Sequence, residues 1–193
     1  MPRIGVRHAL HARHTRLPLL MPVVLVVLVA AACTPMSTTA RTTTVPSVDV
    51  ARYLGTWYEI ASVKQFFSVG LVNTTATYSL LPDGNIKVAN AGRYLSAAGP
   101  LSTVVGSAVP VDTTNSRLNV SFTGTNSANP PGNYWVVALD PDYQWAVVSD
   151  PSGLSCFVLS RTPTISPELL ADLLAQARAA GVNTSGVTRT PQG

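Results

Sequence analysis

The sequence predicts an all-β fold, an eight-stranded up-and-down antiparallel barrel with one α-helix packed outside. From Gly55 onward, short runs of β-branched and aromatic residues alternate with turn residues at close spacing, as they do in sandwiches and barrels. Eight such runs suit a closed barrel, because closure leaves no exposed sheet edge. One amphipathic helical pattern follows the last run.

Residues 1–32 have the composition of a secretory signal peptide. Four arginines lie between Arg3 and Arg16, and an uncharged, mostly apolar run follows from Leu17 to Ala32. A basic start, a short apolar run and small residues before the cleavage point describe an export signal. The apolar run has sixteen residues and two prolines, which is too short for a transmembrane helix.

Cys33 directly follows three alanines, an arrangement that resembles a lipoprotein signal and predicts lipidation of this cysteine. Such signals most often have leucine where this chain has Ala30. The alternative is ordinary cleavage near Ala32, which would leave Cys33 as a free thiol. We favour lipidation, because an exported protein gains little from an exposed free cysteine.

Residues 34–47 contain eight serines or threonines and no large aromatic residue. A segment of this composition cannot bury enough apolar surface to order itself. We therefore predict a tether over residues 33–47 and a globular domain over 48–193. Cys156 is the only cysteine of that domain, so lipidation of Cys33 would leave no partner for an intramolecular disulfide.

The charged residues and histidines exclude several functions. The net charge of +4 comes entirely from the four signal arginines, so the mature chain is near neutral and nothing indicates nucleic-acid binding. All three histidines also precede residue 33. Without histidine the mature chain cannot use a Ser-His-Asp or Cys-His mechanism, or bind zinc or haem through imidazole. We expect no catalytic residue, metal or cofactor.

The domain divides into eight predicted strands and one helix. The strands are predicted at 55–63, 72–81, 85–94, 101–111, 117–123, 132–139, 143–149 and 154–161. Pro82-Asp83-Gly84 predicts a tight hairpin turn between the second and third strands. Asn129-Pro130-Pro131-Gly132 separates the fifth strand from the sixth.

The helix is predicted to begin at Ser166 and end at Gly181. Ser166 can act as N-cap, with Pro167 at the first helical position, and Ile165 and Leu170 are placed for a hydrophobic staple. Gly181 is a typical stop signal. An apolar stripe predicted to pack on the sheet consists of Leu169, Leu170, Leu173, Leu174 and Ala177.

Alternation along the first strand puts Trp57, Glu59 and Ala61 on one face and Tyr58, Ile60 and Ser62 on the other. A tryptophan and a glutamate on one face indicate the border of a cavity, apolar at its base and more polar further in. The alternative is an edge strand with a surface glutamate.

Three segments together resemble the lipocalin family. Gly55-Thr56-Trp57 resembles its first signature, Asp140-Pro141-Asp142-Tyr143 its second, and residues 159–166, which include Arg161, its third. One such motif means little, but three in order across an all-β chain are specific. The residues of these segments are most similar to those of the bacterial lipoprotein (Blc) and apolipoprotein D types. The resemblance implies a barrel that holds one small ligand.

The resemblance also implies roles for individual residues. Arg161 would lie across Trp57 and close the narrow end of the barrel, a cation–π contact that is structural and not catalytic. The alternative is a surface arginine. The positions that resemble pocket residues of apolipoprotein D-like lipocalins are Tyr78, Asn90 and Phe157.

Alternation adds further lining residues to this expected pocket. Ala76, Tyr78 and Leu80 share a face of the second strand, as do Ile86, Val88 and Asn90 on the third and Tyr134, Val136 and Ala138 on the sixth. The pocket is then apolar with a few polar groups, as ligand sites usually are. Its predicted polar groups are Glu59, Tyr78, Asn90 and Tyr134. The alternative is a filled barrel with no room for a ligand.

Two further features are open to two interpretations each. Alternation counted back from Arg161 turns Phe157 inward and Cys156 outward, where Cys156 would face the helix as a small buried hydrophobe. The alternative is a reactive cavity thiol, as in some lipocalin-fold synthases. Phe66 and Phe67 lie in the predicted loop over 64–71. They form either a lid over the cavity or a patch that meets a membrane or partner.

We therefore predict a membrane-anchored lipocalin of the cell envelope that binds or carries a fatty acid or lysophospholipid. Its anchor would lie in the outer membrane if the source is Gram-negative and in the outer leaflet of the cell membrane otherwise. The lipid class comes from the resemblance. The alternatives are an enzyme on the same barrel, such as an isomerase or lipid-modifying protein, and a surface lipoprotein that binds nothing. The ligand and the oligomeric state, a homodimer included, stay open.

Overall fold

The computed structural model describes residues 42–193. The predicted signal peptide, Cys33 and the first part of the tether therefore lie outside the described residues. Nine strands and two helices follow in chain order: α1 Val50–Tyr53, β1 Gly55–Val63, β2 Leu71–Leu80, β3 Ile86–Tyr94, β4 Leu101–Pro110, β5 Arg117–Ser121, β6 Tyr134–Leu139, β7 Trp145–Ser149, β8 Phe157–Ser160, α2 Pro167–Ala179 and β9 Val187–Arg189.

Strands β1–β8 form a closed antiparallel barrel, as predicted. Each pairs with the next along the chain, and β1 also pairs with β8. The first half of β1, from Gly55 to Tyr58, pairs with β2, with Trp57 opposite Ala76. None of the helices within residues 42–193 is long and apolar enough to cross a membrane.

The barrel has a closed end and an open end. Gly55 and the β2–β3 and β6–β7 turns lie at the closed end, which α1 crosses. The open end carries the connections 64–70, 95–100, 122–133 and 150–156.

Helix α2 packs against the outside of the sheet, as the sequence predicts. The Ser166 hydroxyl accepts a hydrogen bond from the Leu169 amide at 3.1 Å, and Pro167 is the first helical residue. Leu170, Leu173 and Ala177 are buried in an outer core with Val158 and Cys156. A separate inner core fills the base of the barrel.

Two elements differ from the sequence-based prediction. Residues 50–53, which lie outside the predicted strands and helix, form the one-turn helix α1, whose N-cap Asp49 accepts a hydrogen bond from the Arg52 amide. Strand β9 was not predicted, because its three residues have no periodicity that could indicate a strand.

The chain after β9 continues between β1 and β2. Strand β9 pairs with Ala61–Val63 of β1, where β2 has diverged. The Thr190 amide then donates to Ile60 O, and the Asn73 amide of β2 donates to Pro191 O at 2.8 Å. The Gln192 side chain donates to backbone carbonyls of both strands. Residues 187–193 therefore fill the gap between β1 and β2 at the open end.

Residues 42–47, the last part of the predicted tether, lie against the domain. Thr42 is buried, and the amides of Thr43 and Val45 donate to Ala180 O and Val136 O at 2.8 and 2.9 Å. Backbone hydrogen bonds order these six residues although their composition offers little apolar surface.

Candidate functional site

The closed end of the barrel is built on Trp57. This side chain is completely buried, and its indole nitrogen donates to Tyr53 O at 2.8 Å. The guanidinium carbon of Arg161 lies 3.7 Å from the centre of the Trp57 ring. The stacked pair covers the floor of the barrel, which is the position that the resemblance implied.

Arg161 also holds the chain that crosses the closed end. Its guanidinium donates to the carbonyls of Arg52, Leu54 and Thr56 at 2.8–3.0 Å and more weakly to Tyr53 O and Tyr143 O. It thus satisfies carbonyls at the end of α1 that have no partner within the helix. Gly55 has a φ of +94°, and a Cβ there would lie 3.3 Å from the guanidinium, so glycine is favoured.

Three tyrosine hydroxyls form a hydrogen-bonded network above this floor. Tyr134 Oη lies 2.8 Å from Tyr53 Oη and 3.0 Å from Tyr78 Oη. Tyr78 and Tyr134, predicted as polar groups for a ligand, are thus already paired with protein groups. The adjoining cavity has a volume of about 10 Å³, roughly enough for one water. The lower half of the barrel is therefore filled.

Burial of the tyrosine network should make the protein unstable at high pH. Burial raises the pKa of Tyr78 from 10.0 to about 12 and raises the pKa values of Tyr53 and Tyr134 well above their ordinary value. The folded state then holds these protons more tightly than the unfolded state, so stability present below pH 10 is lost as the pH rises toward 12. Each buried phenol should contribute a slope of about 1.4 kcal/mol per pH unit in that window.

Urea unfolding between pH 8 and pH 11 measures this slope. Tyr78→Phe removes one buried proton and should flatten the decline, whereas Tyr94→Phe, at a more exposed position, should not. Parallel pH profiles for the wild type and Tyr78→Phe would contradict the assignment.

Two β-bulges overturn part of the expected alternation. The β1–β8 register shifts between Glu59 and Ala61, so Ala61 turns outward into the outer core and Ser62 turns inward beside Glu59. The β6–β7 register shifts between Val136 and Ala138. Val136 belongs to the inner core as predicted, but Ala138 belongs to the outer core and does not line the barrel.

Glu59 lies in a polar cluster on the inner wall near the open end. Its Oε1 accepts hydrogen bonds from Lys64 Nζ at 2.6 Å and from the Ser62 hydroxyl at 2.8 Å, and from the Thr190 hydroxyl. Lys64 neutralises the charge of the buried carboxylate. Because protein donors surround this oxygen, Glu59 is better suited to holding Lys64 and the C-terminal segment in place than to orienting a ligand.

The upper lumen is apolar and open to solvent. Val104 lies opposite Asn90 in the β3–β4 ladder, and paired residues share a face, so both point inward. Val104 is nevertheless 43% exposed, and Phe122 is 39% exposed. Phe157 packs on the inner core from β8. Asn90 Oδ1 is buried and has no hydrogen-bond partner, so it can bond to a ligand or water.

Cys156 lies in the outer core and not in the lumen. It is fully buried against α2, and burial raises the pKa of its thiol to about 11. A protonated, inaccessible thiol is a poor nucleophile. Residues 42–193 also contain no group of three or more His, Cys, Asp or Glu side chains placed to bind a metal ion.

Several residues at or near the site were not predicted, and four of them are instructive. Lys64 and Thr190 join Glu59 from the loop after β1 and from the C-terminal segment, and Tyr53 joins the tyrosine network from α1. Val104 could have been found by applying the alternation rule to the fourth strand. The other three depend on long-range contacts that leave no local pattern.

A further groove lies outside the barrel, between the β8–α2 connection and the chain after β9. It has a volume of about 330 Å³ and contacts Ile60 and Arg189. Because Ile60 belongs to the outer core, this groove is separate from the lumen.

The chain matches known proteins over nearly all of its domain. Residues 48–192 match the family model described as a lipocalin-like domain. Outer membrane lipoprotein Blc of Escherichia coli is 41% identical over 155 residues, which cover 80% of this chain and 85% of Blc. Apolipoprotein D of Mus musculus is 32% identical over 151 residues, which cover 75% of this chain and 77% of that protein.

The fold is also similar to that of solved structures. Lobster apocrustacyanin A1 superposes with a TM-score of 0.55 at 19% identity, over 74% of this chain and 79% of that one. At this identity the similarity concerns the fold alone.

Proposed function

The chain belongs to the lipocalin family, and from this we propose that it is a membrane-anchored carrier of a fatty acid or lysophospholipid. One observation carries the proposal: the upper lumen combines solvent-exposed, inward-facing apolar surface at Val104 with the unpartnered Asn90 Oδ1. An amphiphile fits this combination, because its tail can cover apolar surface while its polar head bonds to the amide: a head-group hydroxyl can donate to Asn90 Oδ1, and a carboxylate can accept from the amide nitrogen.

The proposed site is the upper lumen, above the tyrosine network. The tail lies against Val104, Phe122 and Phe157, and the Asn90 amide orients the head. Tyr78, Tyr134 and Val136 form the floor on which the tail ends. Glu59 lies beside this site and holds Lys64 and the C-terminal segment in place. This differs from the sequence-based expectation, in which Glu59 and both tyrosines met the ligand directly.

Filling the upper lumen should abolish binding. Val104→Trp places an indole beside Asn90, so we expect at least a tenfold loss of affinity for a fluorescent fatty acid. Val105→Trp is the matched control, because the next residue of β4 points outward and is 57% exposed. For the wild type, affinity should increase with chain length by about 0.8 kcal/mol per CH₂ until the lumen is full. Equal affinity in both variants would place the ligand outside the barrel.

The membrane anchor is the lipid on Cys33. Its support is the alanine run before that cysteine and the similarity to Blc, which is an outer membrane lipoprotein. A single acyl chain binds membranes only marginally, so a stable anchor requires more than one. The wild-type protein should partition into detergent, and Cys33→Ala should prevent it. Wild-type protein without acyl mass on Cys33 would contradict the anchor.

Native mass spectrometry of the purified protein separates the carrier from the alternatives. A carrier should retain lipid, whereas a lipoprotein that binds nothing should not. An enzyme that uses Cys156 should lose activity in Cys156→Ser, but the burial of this thiol argues against that alternative.

A further inference from the structure

The open end of the barrel carries a group of exposed apolar side chains, which we term the mouth patch. Phe66 is 92% and Leu95 is 84% exposed. The two connections that carry them meet, since the Leu95 amide donates to Gly70 O at 2.7 Å. The other exposed members of the patch are Phe67, Val69 and Leu101.

The mouth patch contains no acidic residue. Neither connection, over residues 64–70 and 95–100, contains an aspartate or glutamate. Of the nearby cations, Lys64 is paired with Glu59, and Arg93 is half-buried and donates to Gly99 O. Tyr94, at the edge of the patch, is also exposed and has the apolar ring and polar tip that suit a membrane interface. A large uncharged apolar surface of this kind usually meets a partner or a membrane.

The N-terminal segment reaches the domain at the same end of the barrel. Thr42 lies 3.5 Å from Pro151 O in the β7–β8 connection, and that connection touches the end of β1 through the Val63 amide and Cys156 O. Cys33 precedes Thr42 by nine residues, which span about 30 Å at most. A lipid on Cys33 would therefore hold the open end within about 30 Å of the bilayer.

We propose that the mouth patch docks on the surface of a phospholipid bilayer, so that the barrel opens toward the membrane. The proposal assumes the lipid anchor of the proposed function. The anchor raises the effective concentration of the patch at the bilayer, and insertion of the patch adds a second contact. Phe66 and Leu95 are too exposed to be folded over the lumen, which favours the patch over the lid.

Fluorescent labels at the two ends of the barrel test this orientation. Leu95→Cys and Leu80→Cys each receive an environment-sensitive fluorophore in the otherwise full-length protein; Leu80 is 57% exposed beside the β2–β3 turn, at the closed end. Cys156 is buried and should not react. On phosphatidylcholine vesicles the label at position 95 should shift to the blue and brighten at least twofold, and the label at position 80 should not change.

Each other outcome would overturn the docking. If both labels stay in water while the protein co-sediments with vesicles, the anchor holds but the patch does not insert. If the label at position 95 brightens without vesicles as the protein concentration rises, the patch binds a second copy instead. Protein that does not co-sediment lacks both contacts. Fatty-acid titration of the same samples reports on the carrier function separately, so either proposal can fail alone.

The variant Phe66→Ser/Phe67→Ser provides an independent test that needs no label at position 95. It should halve the brightening of a label at Val69→Cys on vesicles while leaving the melting temperature unchanged, because both phenylalanines are exposed. Undiminished brightening would contradict the docking.

Discussion

Replacing Trp57 by alanine should lower the free energy of unfolding by about 3–5 kcal/mol, the range for truncating a large aromatic side chain in a core. Trp57 is fully buried, packs beside Tyr53 with ring centres 4.9 Å apart, and supports the Arg161 guanidinium. Removal of the indole would leave a cavity at the closed end. The surrounding residues cannot fill this cavity, because the tyrosine network and α1 hold its walls in place.

Urea unfolding followed by circular dichroism measures this change. Trp145→Ala is the matched control, since Trp145 is only partly buried on the outer core, and it should cost clearly less. Arg161→Ala should fall between the two, because it removes the stacking and leaves the carbonyls of α1 without their donor. Equal costs for Trp57→Ala and Trp145→Ala would contradict the central role of the closed end.

Replacing Lys64 by methionine should lower the free energy of unfolding by about 3 kcal/mol, because it leaves the buried Glu59 carboxylate without its counter-charge. Ser62 and Thr190 would still donate to Glu59, but neither carries charge. Denaturant unfolding of Lys64→Met measures the loss.

The double variant Glu59→Gln/Lys64→Met tests whether the loss comes from the unpaired charge. It should recover at least half of the lost stability, since no buried charge remains. The single variant Glu59→Gln is measured as well. If the double variant lost as much stability as Glu59→Gln and Lys64→Met lose together, the two residues would act independently and the ion pair would contribute little.

The sequence predicted the barrel well because its strands have local signals. The strands β1–β8 lie within three residues of their predicted bounds at each end, and Ser166 and Pro167 begin α2 as expected. The bulges at Ile60 and Val137 could not be predicted, because a single extra residue leaves the hydrophobic pattern almost unchanged while it reverses the faces beyond it. Ala61 and Ala138 were misplaced for that reason.

The candidate site was predicted less completely than the fold. Asn90, Phe157 and Val136 take the faces that alternation gives them, but alternation cannot say whether an inward tyrosine meets a ligand or another tyrosine. The network of Tyr53, Tyr78 and Tyr134 depends on three segments far apart in the chain. Glu59 likewise accepts a hydrogen bond from Thr190, which lies 131 positions later in the chain, so this contact could not be predicted from a local pattern.

The place of residues 187–193 between β1 and β2 determines the order in which the barrel can be completed. A chain still being synthesised contains β1 and β2 long before it contains Thr190 and Gln192. The facing edges of these two strands at the open end therefore stay unpaired until residues 187–193 are present. Contacts of such large sequence separation are formed slowly. We therefore expect closure of the open end to come late in folding, and a chain that stops before β9 should keep an unpaired edge that other strands can join.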